Sequence, residues 1–298
     1  MRPLSSATLL ACLAVALLAP EPARAWGFDV HRLITDRAIA LLPEPLRPFY
    51  EKHRSVIVEH SIDPDLWRNA GFSQEPPRHF LDMDVYGPHP FDALPRDYDE
   101  AVKKFGKQKV NRYGTLPWRT AEMYERLVKA FAGAARPDPG YAFEDVKFFS
   151  AFIAHYVADA HVPFHAALNY DGQLTGQWGI HSRFESQLVL RYLPRLEIAP
   201  QPTAPVRNAR DFIFDTLIAS FPKVDAILAG DRKIVGSRDE YDDEYFEALF
   251  KEVGPVAEQQ LSAGISGVAA VITGAWETAG KPAVPVDPPR VNRKVRRR

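Results

Sequence analysis

Cysteine is almost missing from this chain: Cys12 is the only one in 298 residues, and it lies in the apolar opening stretch. Disulfides within the chain are therefore excluded, and stability must come from a hydrophobic core or from bound metal. Net charge is nearly absent too, at −1, so bulk electrostatics announces no nucleic-acid partner. Alternating Val/Ile/Thr runs of the strand type are scarce, and no internal repeat is visible. After the opening stretch no apolar run is long enough to span a bilayer.

The charge that is there is unevenly placed. The last ten residues, PRVNRKVRRR, hold six Lys/Arg and no acid, which leaves the body before them clearly acidic. Such a body is expected to offer no continuous groove to a polyanion. At the other end Arg2, the apolar run ATLLACLAVALLA and the small-x-small ARA at 23–25 read as a signal peptide over residues 1–25. Cleavage is expected before Trp26, giving a secreted or periplasmic protein. LLAC at 9–12 also fits a lipoprotein box, but the apolar run continues past Cys12 and only the later site stops at its end.

What is plentiful is helical patterning. Apolar residues at helical spacing run from Trp26 to Leu42, across 43–68 with an interruption at DPD, and over LPWRTAEMYERLVKAFAGA at 116–134. FEDVKFFSAFIAHYVADA, 143–160, is apolar nearly all round and belongs at a domain centre. Further helices are expected over 181–194, 206–229, 239–253 and 255–279, and loop over the Pro-, Gly- and Asp-rich 71–96. The expectation is an all-α single domain over 26–280, with a disordered Pro-rich and basic tail over 281–298.

Three histidines and an aspartate crowd HYVADAHVPFH at 155–165. Residues four apart share a helix face, so His155 and Asp159 can ligate one ion. Pro163 ends or bends the helix and turns His165 toward a second. HSRFE repeats the spacing with His181 and Glu185; with His165 these make two imidazoles and a carboxylate, the composition of a catalytic zinc site with room for water. A single H-x-x-x-D on a helix is more often a hydrogen-bonded or solvated pair. Two such pairs joined by a Pro-redirected histidine, in a chain whose mature form has no cysteine, favour metal.

H-x-x-x-D-x-x-x-P-x-H followed by H-x-x-x-E resembles the trinuclear-zinc superfamily, which includes bacterial zinc-dependent phospholipases C and the plant and fungal single-strand-specific nucleases. The other elements follow in order: Trp26, His31 in WGFDVH, Asp65 in DPDLWR, and His79 in RHFLD. The resemblance covers Trp26 to Glu185 and implies three Zn2+ ions. Asp65, His79, His155 and Asp159 would hold one; His165, His181 and Glu185 the second. The third would take His31, Asp159 as a bridge, and the free α-amino group and carbonyl of Trp26. Asp65 would also act as the catalytic base. Asp63 is an alternative to Asp65, which the likeness of DLWR to the nucleases favours. Asp82 would orient His79 or help bind substrate, and Asp29 would have at most a minor role. His161 is expected to pack or support, and His53, His60 and His89 to lie on the surface or in loops.

The implied activity is phosphodiester hydrolysis. Glu185 and the short His165–His181 interval lean toward a phospholipase C; the Trp26–His31 spacing and DLWR lean toward an endonuclease releasing 5′-nucleotides. Phe80, Tyr86 and Trp178 would stack on a base or cage a choline head. Substrate partners are thus phospholipid head groups or single-stranded nucleic acid, with a peripheral membrane contact open through the basic tail and no obligate protein partner indicated. A catalytically idle member that binds zinc or phosphate is the reading of a different class, and the complete ligand set argues against it.

Overall fold

The computed structural model describes residues 27–236, 238 and 240–288. About two thirds of the chain is helical, and no strand occurs among the described residues. The helices are α1 (Phe28–Ala40), α2 (Arg47–Lys52), α3 (Arg54–His60), α4 (Asp63–Asn69), α5 (Tyr98–Phe105), α6 (Lys107–Arg112), α7 (Leu116–Ala134) and α8 (Ala142–Ala160). After them come α9, in which Ile180–Ser182 runs through a π-helical turn, Arg183–Leu188, into Val189–Tyr192; then α10 (Ala209–Ser220), α11 (Pro222–Val235) and α12 (Asp243–Thr278).

The all-round apolar pattern of α8 has the expected consequence. Every residue from Ser150 to Ala160 is buried, because α1, α3, α4, α7, α10 and α12 all pack against this helix. A polar side chain on its last two turns therefore cannot reach bulk water, and any charge there must find a partner inside.

Three departures from the sequence expectation have local causes. The 206–229 segment is two helices, because Pro222 cannot continue the first but suits the opening of a second. The two helices expected over 239–279 are one, α12, with Pro255 inside it. An interior proline costs about 3 kcal/mol; Val253, Ala257, Leu261, Ile265 and Val268 on the same helix are fully buried and outweigh it. Residues 98–112, to which the pattern assigns no element, form α5 and α6; the Asp97 side chain caps the first by accepting from the Glu100 amide at 3.0 Å.

The expected loop over 71–96 is irregular apart from two 3-10 turns, Pro76–Arg78 and Met83–Tyr86. Residues 281–288, the start of the expected disordered tail, lie against the body: Trp276 donates to the Pro282 carbonyl at 2.9 Å, and His53 Nε2 to that of Val286 at 2.9 Å. The signal segment, Trp26 and the basic end lie outside the described residues. Among the described residues no helix is long and apolar enough to cross a membrane.

Candidate metal centre

The end of α8 supplies His155 and Asp159, and the chain then turns at Pro163, as its ring requires, to present His165 from a 3-10 turn. Asp65 comes from the first turn of α4 and His31 from the first turn of α1. His181 and Glu185 lie one turn apart on α9. His79 comes from the irregular segment after Pro76–Arg78, which is pinned from both sides. Thr115 and Leu116 amides donate to the Pro77 and Phe80 carbonyls, and the Leu81 amide donates to the His165 carbonyl at 2.9 Å. Gly114 allows that approach: its φ is +101°, and a Cβ there would lie 2.1 Å from the Phe80 oxygen.

All eight side chains are buried, none more than 5% exposed. They fall into three groups, each with ligand atoms within 4.8 Å of one another: His31, His155 and Asp159; Asp65, His79 and His155; His165, His181 and Glu185. His155 belongs to two groups. Asp159 Oδ1 is 3.5 Å from His31 Nε2 within its own group, and its Oδ2 reaches beyond it, 3.0 Å from His79 Nδ1. The His31 and His155 rings stack at 3.9 Å.

Two tautomers follow from the partners. His155 Nδ1 is 2.8 Å from the Ser61 carbonyl and His165 Nδ1 is 2.7 Å from the His79 carbonyl. A carbonyl only accepts, so each Nδ1 carries a proton and Nε2 is the nitrogen left to meet a metal; at His155 burial acts downward, but the facing Asp159 outweighs it and raises the imidazole. Burial pushes the His165 and His181 imidazoles down to about 3 and about 4, and lowers that of His31. These rings are neutral at neutral pH, the form that binds metal. At Asp159 burial acts upward, but the facing His155 and His165 outweigh it and hold the carboxyl well below its usual range.

The donors fit zinc on a structural test. His31 Nε2, Asp65 Oδ2 and Asp159 Oδ1 are buried without a hydrogen-bond partner. Buried polar atoms left unsatisfied cost about 1–3 kcal/mol each, and so many converging on one spot call for a cation. Imidazole and carboxylate donors without thiolate match catalytic zinc. Trp26 lies outside the described residues. Its neighbour Gly27 donates to Ser186 Oγ at 3.0 Å, one residue from Glu185.

The alternatives separate on geometry. Asp63 pairs with His60 at 2.8 Å on the rim, whereas Asp65 is inside, 3.0 Å from Arg68. His161 faces away from the donors, giving its Nδ1–H to Val157 and packing against α12 at Gly264 and Gly267. Asp29 is exposed and pairs with Arg32. Asp82 lines the same hollow as His79 but, among the described residues, forms no hydrogen bond or ion pair with it. A carboxylate that does face this ring is Glu75, which no motif marks: its Oε1 is 3.8 Å from His79 Nε2. Glu75 accepts from Tyr156 OH and from Arg78 at 2.7 Å. The i, i+4 spacing in EPPRH was the available signal, masked by two prolines that read as loop.

A cavity of about 380 Å3 opens onto His79, His165 and His181. Phe80, Tyr113, Phe164 and Tyr170 line it, with Arg68, Arg112 and Asp82 as its other charged groups. Burial pushes the Asp82 carboxyl up to about 7. Of the three aromatics singled out in the sequence only Phe80 faces this space. Tyr86 is buried elsewhere and Trp178 is 64% exposed.

A family model described as zinc-dependent phospholipase C matches residues 30–227, a span that holds every described donor. Comparison with curated proteins returns no match.

Proposed function

The chain belongs to the zinc-dependent phospholipase C family, and from that membership we propose that it hydrolyses the head-group phosphodiester of a phospholipid, after export and cleavage before Trp26. The products are a phosphorylated head group and a diacylglycerol. The observation that carries this reading is the aromatic cavity against the donor cluster. Its volume and single carboxylate suit one head group with a cationic end, which Phe80, Tyr113 and Tyr170 would face while Asp82 pairs with the charge.

Three zinc ions on the nine donors, Trp26 included, would generate a nucleophile from water near neutral pH and neutralise the phosphate oxygens. Asp65 orients the attacking water and takes its proton, its carboxylate being buried and held from one side by Arg68. Arg68 and Arg112 face the same cavity and attract the phosphate. His155 and His165, fixed by backbone carbonyls, keep their lone pairs aimed inward through the reaction.

The test uses zinc-loaded protein beginning at Trp26, given phosphatidylcholine vesicles or single-stranded RNA, with a chelator control. Chelator-sensitive release of phosphocholine is expected. Release of 5′-mononucleotides in its place would move the chain to the nuclease reading. Full zinc binding with neither product would favour an idle binder.

A further inference from the structure

Residues 103–112, KKFGKQKVNR, carry five cations and no acid in a chain of net charge −1. In the fold this stretch is the end of α5 and all of α6, and two of its cations, Lys107 and Arg112, line a groove of about 760 Å3 together with Arg78, Arg119 and one carboxylate, Glu122. Arg112 also lines the catalytic cavity. Arg78 also lines a neighbouring hollow where Phe72 stands 61% exposed. The hollows thus share walls, and a cationic path leads from an exposed phenyl ring to the metal donors. A continuous basic groove is not what an acidic body leads one to expect. Arg78 and Arg119 are paired, with Glu75 at 2.7 Å and Glu122 at 2.8 Å. Lys107 and Arg112 are exposed and enter no ion pair among the described residues.

We propose that this groove and Phe72 form a docking surface for a bilayer bearing anionic lipid, which seats the mouth of the catalytic cavity on the membrane. The inference rests on the phospholipid reading above and adds the lipid charge that recruits the enzyme, distinct from the head group it cleaves. Two unpaired cations in a groove that shares a wall with the hollow of an exposed phenyl ring match an anionic interface, where each cation strengthens partitioning about fivefold. A single-stranded polynucleotide needs a row of exposed ring faces for its bases; here Phe72 is a single ring, and the aromatics that line the groove, Tyr98 and Trp118, are half-buried. The Trp118 indole donates to the Arg96 carbonyl at 2.8 Å and packs edgewise on Tyr98 and Phe214, and Trp67 packs on Phe152.

The test is co-sedimentation of the zinc-loaded protein on ice with vesicles of phosphatidylcholine alone or with one third phosphatidylglycerol. In parallel, hydrolysis of a monomeric short-chain phosphatidylcholine is followed. Wild type should bind the anionic vesicles at least tenfold more strongly, with the excess lost at high salt. Lys107→Glu should remove about tenfold of that binding, and Phe72→Ser should weaken binding to both vesicle types. Neither residue lines the catalytic cavity, and a glutamate at the start of α6 favours the helix, so hydrolysis of the monomeric lipid should persist. Equal binding to both vesicle types, or anionic binding untouched by Lys107→Glu, overturns the proposal. So does a single-stranded oligonucleotide that displaces the protein from vesicles and loses its own binding in Lys107→Glu. Charge-dependent vesicle binding without hydrolysis of the monomeric lipid would sink the phospholipase reading and leave the docking surface standing.

Discussion

Removing the Glu75 carboxylate separates what holds the metal cluster from what holds the fold. Glu75 is 2% exposed; it accepts from Tyr156 OH and Arg78 and stands 3.8 Å from the outward nitrogen of His79. His79 Nδ1 faces Asp65, His155 and Asp159, so Nε2 is the end a carboxylate can steady. In Glu75→Ala the Tyr156 O–H loses its acceptor. A buried donor left unsatisfied costs about 1–3 kcal/mol, and at about 2–4 °C per kcal/mol for a domain of roughly this size the metal-free protein should melt several degrees lower. Outer partners of ligating histidines typically carry about 10–100-fold in metal affinity, so zinc should bind that much more weakly. Glu75→Gln keeps an acceptor for Tyr156 but not the charge. It should recover most of the melting temperature and only part of the affinity. Thermal melts of chelated protein and competitive zinc titration read the two effects separately. If Glu75→Ala lowers the melt but binds zinc as wild type does, Glu75 is structural only and the reasoning fails.

Other outcomes follow from the same geometry. Asp159→Asn, which withdraws a charge that touches two donor groups, should lose at least one zinc and at least about a hundredfold in rate; metal analysis showing full content with full activity would refute the bridge. His161 is buried and its imidazole pushed down to about 4, so it is neutral in the fold, while the unfolded chain takes up its proton near 6.5. Its contribution is therefore complete above pH 6.5 and lost as pH falls toward 4, by roughly 3 kcal/mol at most; His161→Gln should flatten that limb in urea unfolding of the chelated protein, and an unchanged slope counts against it. Gly114→Ala places a Cβ against the Phe80 oxygen and should cost on the order of 3 kcal/mol, with zinc binding weakened because His79 shifts. Asp82→Asn should raise KM for phosphatidylcholine several-fold with little change in kcat, whereas a fall in kcat alone would remove Asp82 from head-group binding.

The fold was legible where one pattern ran uninterrupted. The 116–134 helix lies where its periodicity puts it, and the central place of α8 follows from apolar residues on every side. Legibility failed where tertiary burial overrode a local signal. Pro255 stays inside a helix because it sits on the exposed side while the opposite face is buried; α5 has an apolar stripe, Tyr98, Ala101, Val102 and Phe105, that runs for only two turns before Gly106 ends it, and α6 is too short and charged to show one. At the site, the i, i+4 pairs and the Pro163 turn were visible because helix geometry alone brings those donors together. Glu75 was not, since its role depends on Tyr156 and Arg78 meeting it across the fold. The aromatics of the cavity were mostly missed for the same reason: Tyr113 is far in sequence from Phe164 and Tyr170 and meets them only through the pairing of 113–116 with 77–82 and the turn after α8.

The converging donors, completed by the amino terminus at Trp26, are proposed to form one zinc cluster. Its most direct test is the zinc-to-protein ratio after desalting, measured for protein beginning at Trp26 and for the same protein with one alanine added in front. Three zinc ions are expected in the first and two in the second, with the ion nearest His31 lost. A ratio near zero in both, or three in both, would contradict it.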